Sequence, residues 1–299
     1  MFFLIFSFSL GICRLQSQDK MYFATATDTE HYTWTLNLIA GIHRCHDDNV
    51  GEIGVFDLGL NAEERSFLER LSYVKVYDVE PVNPYIFQRF TVVKEGKIAR
   101  GLYSWKPVVI KQALDLYPVV FYLDSGISVV GSFDLLFKHV RENHYLLIDC
   151  GHSIRRMTSK PLIKQFALDQ AGNAWVLDQM GISSGIQGLS KDMYANYVCP
   201  IYHMAFSITN FIDDGACPGG YGFGRYDQTL FSIQARLLRL TVNKVLQGGK
   251  LRLQIEGKTT KVRLDKFLEI TRGSFDLDKV KKYIRYKTLD EEKALLPVQ

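Results

Sequence analysis

The chain reads as an α/β protein built on a mostly parallel sheet. Three observations predict this. Short apolar runs fit for buried strands recur at Tyr22–Ala26, Ile53–Leu58, Val74–Val79, Val119–Leu123 and Tyr145–Ile148. Stretches with apolar residues at helical spacing stand between most of them. Acidic residues follow several of the runs, at Asp28, Asp124 and Asp149, which is the strand end where ligands bind in open α/β sheets. Strands alternating with helices favour parallel order and right-handed crossovers.

At 299 residues the chain is long enough for one large domain or two small ones. Its apolar share of 47% is ordinary for a globular protein. The net charge is +4, and the Lys and Arg are scattered along the sequence. No basic stripe marks a nucleic-acid surface.

In chain order, the first strand leads through Thr27-Asp28-Thr29-Glu30 into a helix running to about Cys45. Trp34, Leu38 and Ile42 stand four apart on one face of it. Asp28 or Thr29 suits the cap, and a helix amino end after a first strand is also a nucleotide-binding position. A Gly-x-Gly-x-x-Gly fingerprint is missing there, which argues against a dinucleotide oxidoreductase. The second strand turns into a helix at Asn61–Leu71, with Asn61 and Glu64 spaced as a capping box. After the third strand, Pro81 to Arg100 reads as irregular, broken by Pro81 and Pro84.

Trp105–Leu116 is the next helix, stopped by Pro118 before the apolar run Val119–Leu123. Asp124-Ser125-Gly126 follows, and then a second apolar run from Ile127 to Val130. An acid at the end of a buried strand is costly unless it faces a cation, a donor or water. Asp124 therefore either serves the turn with Ser125 and Gly126, or faces a ligand. A helix over Phe133–Val140 precedes the Tyr145–Ile148 strand, which Asp149 ends, and His152, Arg155 and Arg156 lie in the next loop. Lys160–Leu177 reads as helical.

Gly181–Asn210 mixes polar, glycine and aromatic residues. Ser183, Ser184, Gly185 and Gln187 suggest a polar, flexible turn, and Pro200-Ile201-Tyr202-His203 combines aromatic and polar character as sugar-binding loops do. His203 is either a site residue or a satisfied histidine among apolar neighbours. Asp213-Asp214 and the glycine-rich run to Gly224 form a long loop, and such loops are usually functional. Arg225-Tyr226-Asp227-Gln228 opens a helix through Leu240, where Asp227 also suits the first turn of a helix. The tail, 244–299, reads as an appendage. In it Leu251–Leu264 alternates apolar and charged residues around Glu256-Gly257-Lys258, the pattern of a hairpin with one buried face, and a polar helix follows near Asp276–Tyr286.

Phe2–Ile12 is apolar but too short for a bilayer span of about 20 residues. It fits a signal peptide or short anchor over residues 1–17, with association of the amino terminus with a membrane, and the secretory lumen (ER or Golgi) or export as the compartment. The alternative is a start at Met21. Beyond Cys13, the four thiols Cys45, Cys150, Cys199 and Cys217 allow two disulfides in three pairings, and none has zinc-ligand spacing.

Lys106, the tract VVFYLDSG and the apolar run after it resemble the centre of GT-A nucleotide-diphospho-sugar glycosyltransferases, with a weaker likeness to the glycogenin-like transferases. The likeness covers roughly 21–240, and the order and spacing of its motifs carry it. It implies a catalytic domain over 18–243, a GT-A-like sheet with helices on both faces and a small C-terminal hairpin. It implies transfer of a sugar from a nucleotide-diphosphate donor to a hydroxyl on a glycan or glycoconjugate. The donor side would be Ala24 to Asp28 (with Ala26 and Thr27), Arg100, Lys106, Ser125 and Gly126. The acceptor side would be Ser184, Gln187, His203 and Asp214. Asp124, Asp227 and Gln228 would be catalytic, with Asp214 and Asp178 as further candidate bases. Mn²⁺ or Mg²⁺ on Asp124 is implied, but the family's Asp-x-Asp is Asp124-Ser125-Gly126 here, so the second carboxylate is missing. Asp149 is a conceivable second acidic ligand. That departure keeps a non-catalytic sugar- or protein-binding module open as the alternative.

Overall fold

The structure, a computed structural model, describes residues 20–46, 48–92, 97–212, 226–245 and 248–288. The apolar run 2–12, Asp214 with the rest of the glycine-rich loop, and Cys217 lie outside the described residues.

The order is β1 (Met21–Thr27), α1 (Tyr32–Cys45), β2 (Val50–Asp57), α2 (Ala62–Glu69), β3 (Val74–Asp78), β4 (Arg89–Val92), β5 (Lys97–Arg100), α3 (Trp105–Leu116), β6 (Val119–Leu123) and β7 (Ile127–Val129). It continues with α4 (Asp134–Asn143), β8 (Tyr145–Ser153), α5 (Lys160–Gln165), β9 (Met180–Ser190), α6 (Cys199–Met204), α7 (Tyr226–Leu237), β10 (Lys250–Ile255), β11 (Lys258–Arg263), β12 (Leu268–Ile270) and α8 (Leu277–Lys281). The central sheet runs β3-β2-β1-β6-β9-β8. β3, β2, β1 and β6 are mutually parallel, and β9 lies antiparallel between β6 and β8.

Period-2 alternation splits the core between the two faces of the sheet. Phe23, Val55, Phe121 and Leu123 point to one side, packing with Leu38 and Ile42 of α1 and Phe137 and Val140 of α4. Ala24, Phe56, Val120 and Tyr122 point to the other, packing with Val108, Val109 and Ala113 of α3 and Leu230 and Phe231 of α7. The capping box holds: Asn61 Oδ1 accepts from Glu64 N at 2.9 Å and Glu64 Oε2 from Asn61 N at 3.1 Å. The hairpin forms as its alternation predicts, with Glu256 and Gly257 both at positive φ (51° and 70°), the backbone of a two-residue primed turn.

Four local expectations change. The irregular stretch before Arg100 contains the antiparallel pair β4–β5. Lys160–Leu177 is helical only at its ends, in α5 and a 3-10 turn at Ala174–Asp178. The polar turn expected at Ser183–Gln187 is part of β9, an interior strand of the sheet; its small residues make room, since a Cβ on Gly188 would stand 2.6 Å from the Phe121 ring. Pro200–His203 is helical, with Pro200 in the first turn of α6, where its missing N–H costs nothing.

The tail reads as an appendage, yet Leu251, Leu253, Phe267, Leu268 and Ile284 belong to the same core cluster as Phe23 and Phe121. β12 pairs antiparallel with β7, immediately after the Asp124 turn. Cys45, Cys150 and Cys199 are free thiols, so no disulfide joins any two of them. Among the described residues no helix is long and apolar enough to cross a membrane.

Candidate active site

β1 and β6 are parallel neighbours, so Asp28 and Asp124, each just beyond a strand end, share one edge of the sheet. α3 starts at that edge and places Lys106 in its first turn. The Lys106 side chain is only 4% exposed, and its Nζ lies 3.0 Å from Asp124 Oδ1 and 3.2 Å from Asp227 Oδ2. Nζ also stands 3.5 Å from Ser184 Oγ. Tyr122 Oη donates to Asp124 Oδ1 at 2.8 Å. The rings of Tyr103, Trp105 and Tyr122 surround the ammonium at 5.6–5.8 Å, an aromatic cage suited to a cation.

The two carboxylates differ. The Asp227 side chain is 6% exposed and that of Asp124 42%. Burial raises the Asp227 pKa above the ordinary carboxylate value; Lys106 opposes this without overcoming it. Burial works to lower the Lys106 pKa, but Asp124 and Asp227 together raise it. Lys106 therefore stays charged, and the trio carries a net charge of −1 when both acids are ionised. Asp227 Oδ2 lies 3.2 Å from Lys106 Nζ, and Lys106 and Ser184 both act to lower its pKa against the effect of burial.

The backbone around the trio is strained. Leu102 (φ 48°) and Tyr103 (φ 64°) precede α3, and Tyr226 (φ 49°) precedes Asp227. Non-glycine residues in this region cost of order 1–3 kcal/mol each and cluster at functional sites. The Tyr103 and Tyr226 rings meet at 5.4 Å, joining the two strained segments. Gly185 is needed sterically: its carbonyl accepts from Asp124 N at 2.9 Å, and a Cβ there would sit 2.3 Å from Asp124 Oδ2.

A second cluster lies at the end of β1. Asp28, 5% exposed, accepts from His31 Nδ1 at 2.7 Å and from Arg100 Nε at 2.8 Å. Burial would raise its pKa, but these two partners bring it down to about 2, and the same contact raises that of His31. Glu30 pairs with Arg89. Asp28, Glu30 and His31 bring ligand atoms within 4.8 Å of one another, a spacing compatible with a divalent ion.

The structure thus brings Lys106, Asp124, Asp227 and Ser184 together, with Arg100 held by Asp28. Ala26 and Thr27 are buried at the β1 end, and Ser125 and Gly126 form the turn itself. Gln228 turns elsewhere, its Nε2 3.9 Å from Met157 Sδ, because consecutive helical residues point about 100° apart. Gln187 is wholly buried, accepting from Tyr197 Oη at 2.8 Å, and has no surface to offer an acceptor. His203 lies exposed on α6 between the rings of Tyr202 and Phe206. Asp178 pairs with Arg155, and Asp149 accepts from Gly151 N within its own turn.

Sequence reasoning missed the contribution of the tail. Thr271 N and Arg272 N both donate to Gly126 O at 3.0 Å. Trp34 fills the space beside Gly126 and Gly273, where Cβ atoms would come within 3.4 and 2.6 Å of its ring. The glycine at 126 was the available signal; its partners on α1 and in the tail were not.

No family model and no curated protein matches the sequence. Solved structures do match its shape. Core-mannan synthase A from Aspergillus fumigatus, in a Mn/GDP form, aligns with a TM-score of 0.50 at 11% identity, covering 72% of this chain and 69% of that one. The galactosyltransferase LgtC, in complex with donor and acceptor sugar analogs, aligns at 0.45 and 14%, covering 71% and 70%. Mouse xyloside xylosyltransferase 1 aligns at 0.45 and 15%, covering 75% and 84%. At the level of fold, the likeness to core-mannan synthase A, with the sheet order and helices described above, shows a GT-A-type chain.

Proposed function

We propose that this protein transfers a sugar from a nucleotide-diphosphate donor to a hydroxyl of a glycan or glycoconjugate, at the strand-end site around Lys106. The observation that carries the reading is the buried Lys106 held between Asp124 and Asp227. Such a trio is costly to bury and is weak evidence for a stability role. In glycosyl transfer the anomeric centre gains positive charge while the leaving diphosphate gains negative charge. With both acids ionised, the trio's net charge of −1 stabilises the first. Asp124, the exposed member, faces the sugar. Asp227 Oδ2 accepts from a donor or acceptor hydroxyl, and its raised proton affinity suits it to take that proton in an inverting reaction. Arg100, held by Asp28 at the neighbouring strand end, is the cation placed for the diphosphate.

Among the described residues, the acids of both clusters are already taken up by cations, which leaves a divalent ion a poor fit there. Lys106 already lies against both carboxylates of the trio. The oxygens of Asp28 are committed to His31 and Arg100, and Glu30 is committed to Arg89. No step is assigned to a metal. A secretory or exported compartment, with the amino terminus at a membrane, belongs to the same proposal.

The test is a thermal-shift screen of nucleotide diphosphates with and without Mn²⁺, followed by donor turnover with and without chelator. A ligand that binds only the native state raises its apparent stability. The expected result is stabilisation by one nucleotide diphosphate and turnover that survives chelation. Binding without turnover would favour the non-catalytic module, and no binding by any nucleotide would overturn the reading.

A further inference from the structure

One stretch of the chain concentrates positive charge. Residues 250–287 hold twelve Lys and Arg against five Asp and Glu, a surplus of seven in a chain whose net charge is +4. The antiparallel register of β10 and β11 sets Lys250 opposite Arg263 and Arg252 opposite Lys261, with Gln254 opposite Thr259. Directly opposed residues share a face of a hairpin, and all six are exposed. The other face carries Leu251, Leu253 and Ile255 into the core beside α4. The outer face is therefore an array of four cations and one amide–hydroxyl pair, without an apolar residue.

Like charges directly opposite one another destabilise a strand pair. Only Arg263 has a counter-ion, Asp265; Lys250, Arg252 and Lys261 have no ion-pair partner among the described residues. Lysines on an edge strand also deter edge-to-edge pairing, but that accounts for β11 alone. The outer edge of β10 is covered by α4, where Gln254 N donates to His139 Nδ1 at 3.0 Å and Asn143 Nδ2 donates to Gln254 O at 2.9 Å. Cations on both strands call for a different reason.

We infer that the outer face of the β10–β11 hairpin docks on an anionic phospholipid surface. A face of long, flexible cations with no apolar centre suits a fluid plane of negative headgroups, because such side chains reach mobile charges without a fixed complementary shape. It does not suit a protein partner, whose interface needs a desolvated core. It also lacks the aromatic side chains on which nucleic-acid bases stack. Outside residues 250–287 the chain carries a net −3, so the positive surplus belongs to this segment, and the hairpin face gathers four of its cations. The inference is independent of the chemistry proposed at Lys106.

The test uses the full chain in co-sedimentation with vesicles of phosphatidylcholine alone and with added phosphatidylserine. Comparing the two isolates charge from any insertion of the apolar run 2–12. Each cation near an anionic surface is worth about a five-fold change in partitioning at moderate ionic strength. The triple variant Lys250→Glu/Arg252→Glu/Lys261→Glu should therefore lose at least about 100-fold in binding to the anionic vesicles, with an unchanged circular dichroism spectrum. High salt should release the wild type, because exposed charges are screened. If the triple variant misfolds, the Gln versions of the same three residues serve instead. Equal binding to both vesicle types would overturn the inference. So would undiminished binding by a folded triple variant, or selective binding to heparin or RNA without binding to anionic vesicles.

Discussion

Lys106 Nζ lies 3.2 Å from Asp227 Oδ2, both side chains almost wholly buried, and one helix start is thereby bound to another across the candidate active site. Breaking a buried pair by removing one partner leaves an uncompensated charge, at a cost of about 3–5 kcal/mol. Lys106→Met should sit at the low end of that range, because Asp124 is partly exposed and leaves only Asp227 stranded. The double variant Lys106→Met/Asp227→Asn should recover at least about 1 kcal/mol, since the two residues act as a unit. Urea denaturation measures both; equal destabilisation of single and double variants would contradict the coupling.

Asp124→Asn tests the proposed chemistry. Asn keeps an oxygen for the Tyr122 hydroxyl and keeps the volume, so the fold should persist with little change in melting temperature. The charge facing the sugar is lost, and one such electrostatic contact is worth about 3 kcal/mol in the transition state, or on the order of 100-fold in rate. Near-normal turnover in a folded variant would remove Asp124 from the mechanism.

Gly185→Ala adds a single methyl 2.3 Å from Asp124 Oδ2, between two hydrogen-bonded strands. Either the carboxylate swings away from Lys106 or β9 shifts. Stability should fall by about 1–3 kcal/mol, with turnover reduced alongside. Gly172→Ala, where nothing lies within 4 Å, is the neutral control. Matching melting curves for the two variants would show that the contact at 185 relaxes freely.

Acid should destabilise the protein in two separate windows. Burial lowers the His46 pKa from 6.5 to about 4, and its neutral Nε2 accepts from Phe133 N at 3.0 Å. A histidine depressed in the folded state contributes stability above 6.5 that is lost as pH falls toward 4. Asp28, lowered from 3.8 to about 2, contributes stability above 3.8 that is lost as pH falls toward 2. His46→Leu should flatten the upper window and Asp28→Asn the lower one. Unfolding free energy against pH reads both, and an unchanged upper slope in His46→Leu would mean that the histidine does not titrate there.

Much of the fold was legible because its signals are local. The apolar run Val119–Leu123, the capping spacing of Asn61 and Glu64, and the alternation around Glu256-Gly257 each lie within one element. β9 was misread for the opposite reason. Its serines, glycines and Gln187 look like a polar turn, yet they fill the middle of a sheet, where small residues leave room for Asp124 and the Phe121 ring. A strand chosen for what its neighbours need does not show the apolar signature of a strand.

By itself the sequence determined the parallel α/β class, the acid at the end of β6, the helix that presents Lys106 and the helix that opens at Asp227. Propensity, turn chemistry and period-2 or 3.6 patterning act over a few residues and can be read in order. Only the tertiary structure decided that Lys106 reaches both Asp124 and Asp227, that Gln228 points away to Met157, and that the tail closes on Gly126. These depend on sheet order and strand register, which join residues far apart in the chain, and no local spacing records them.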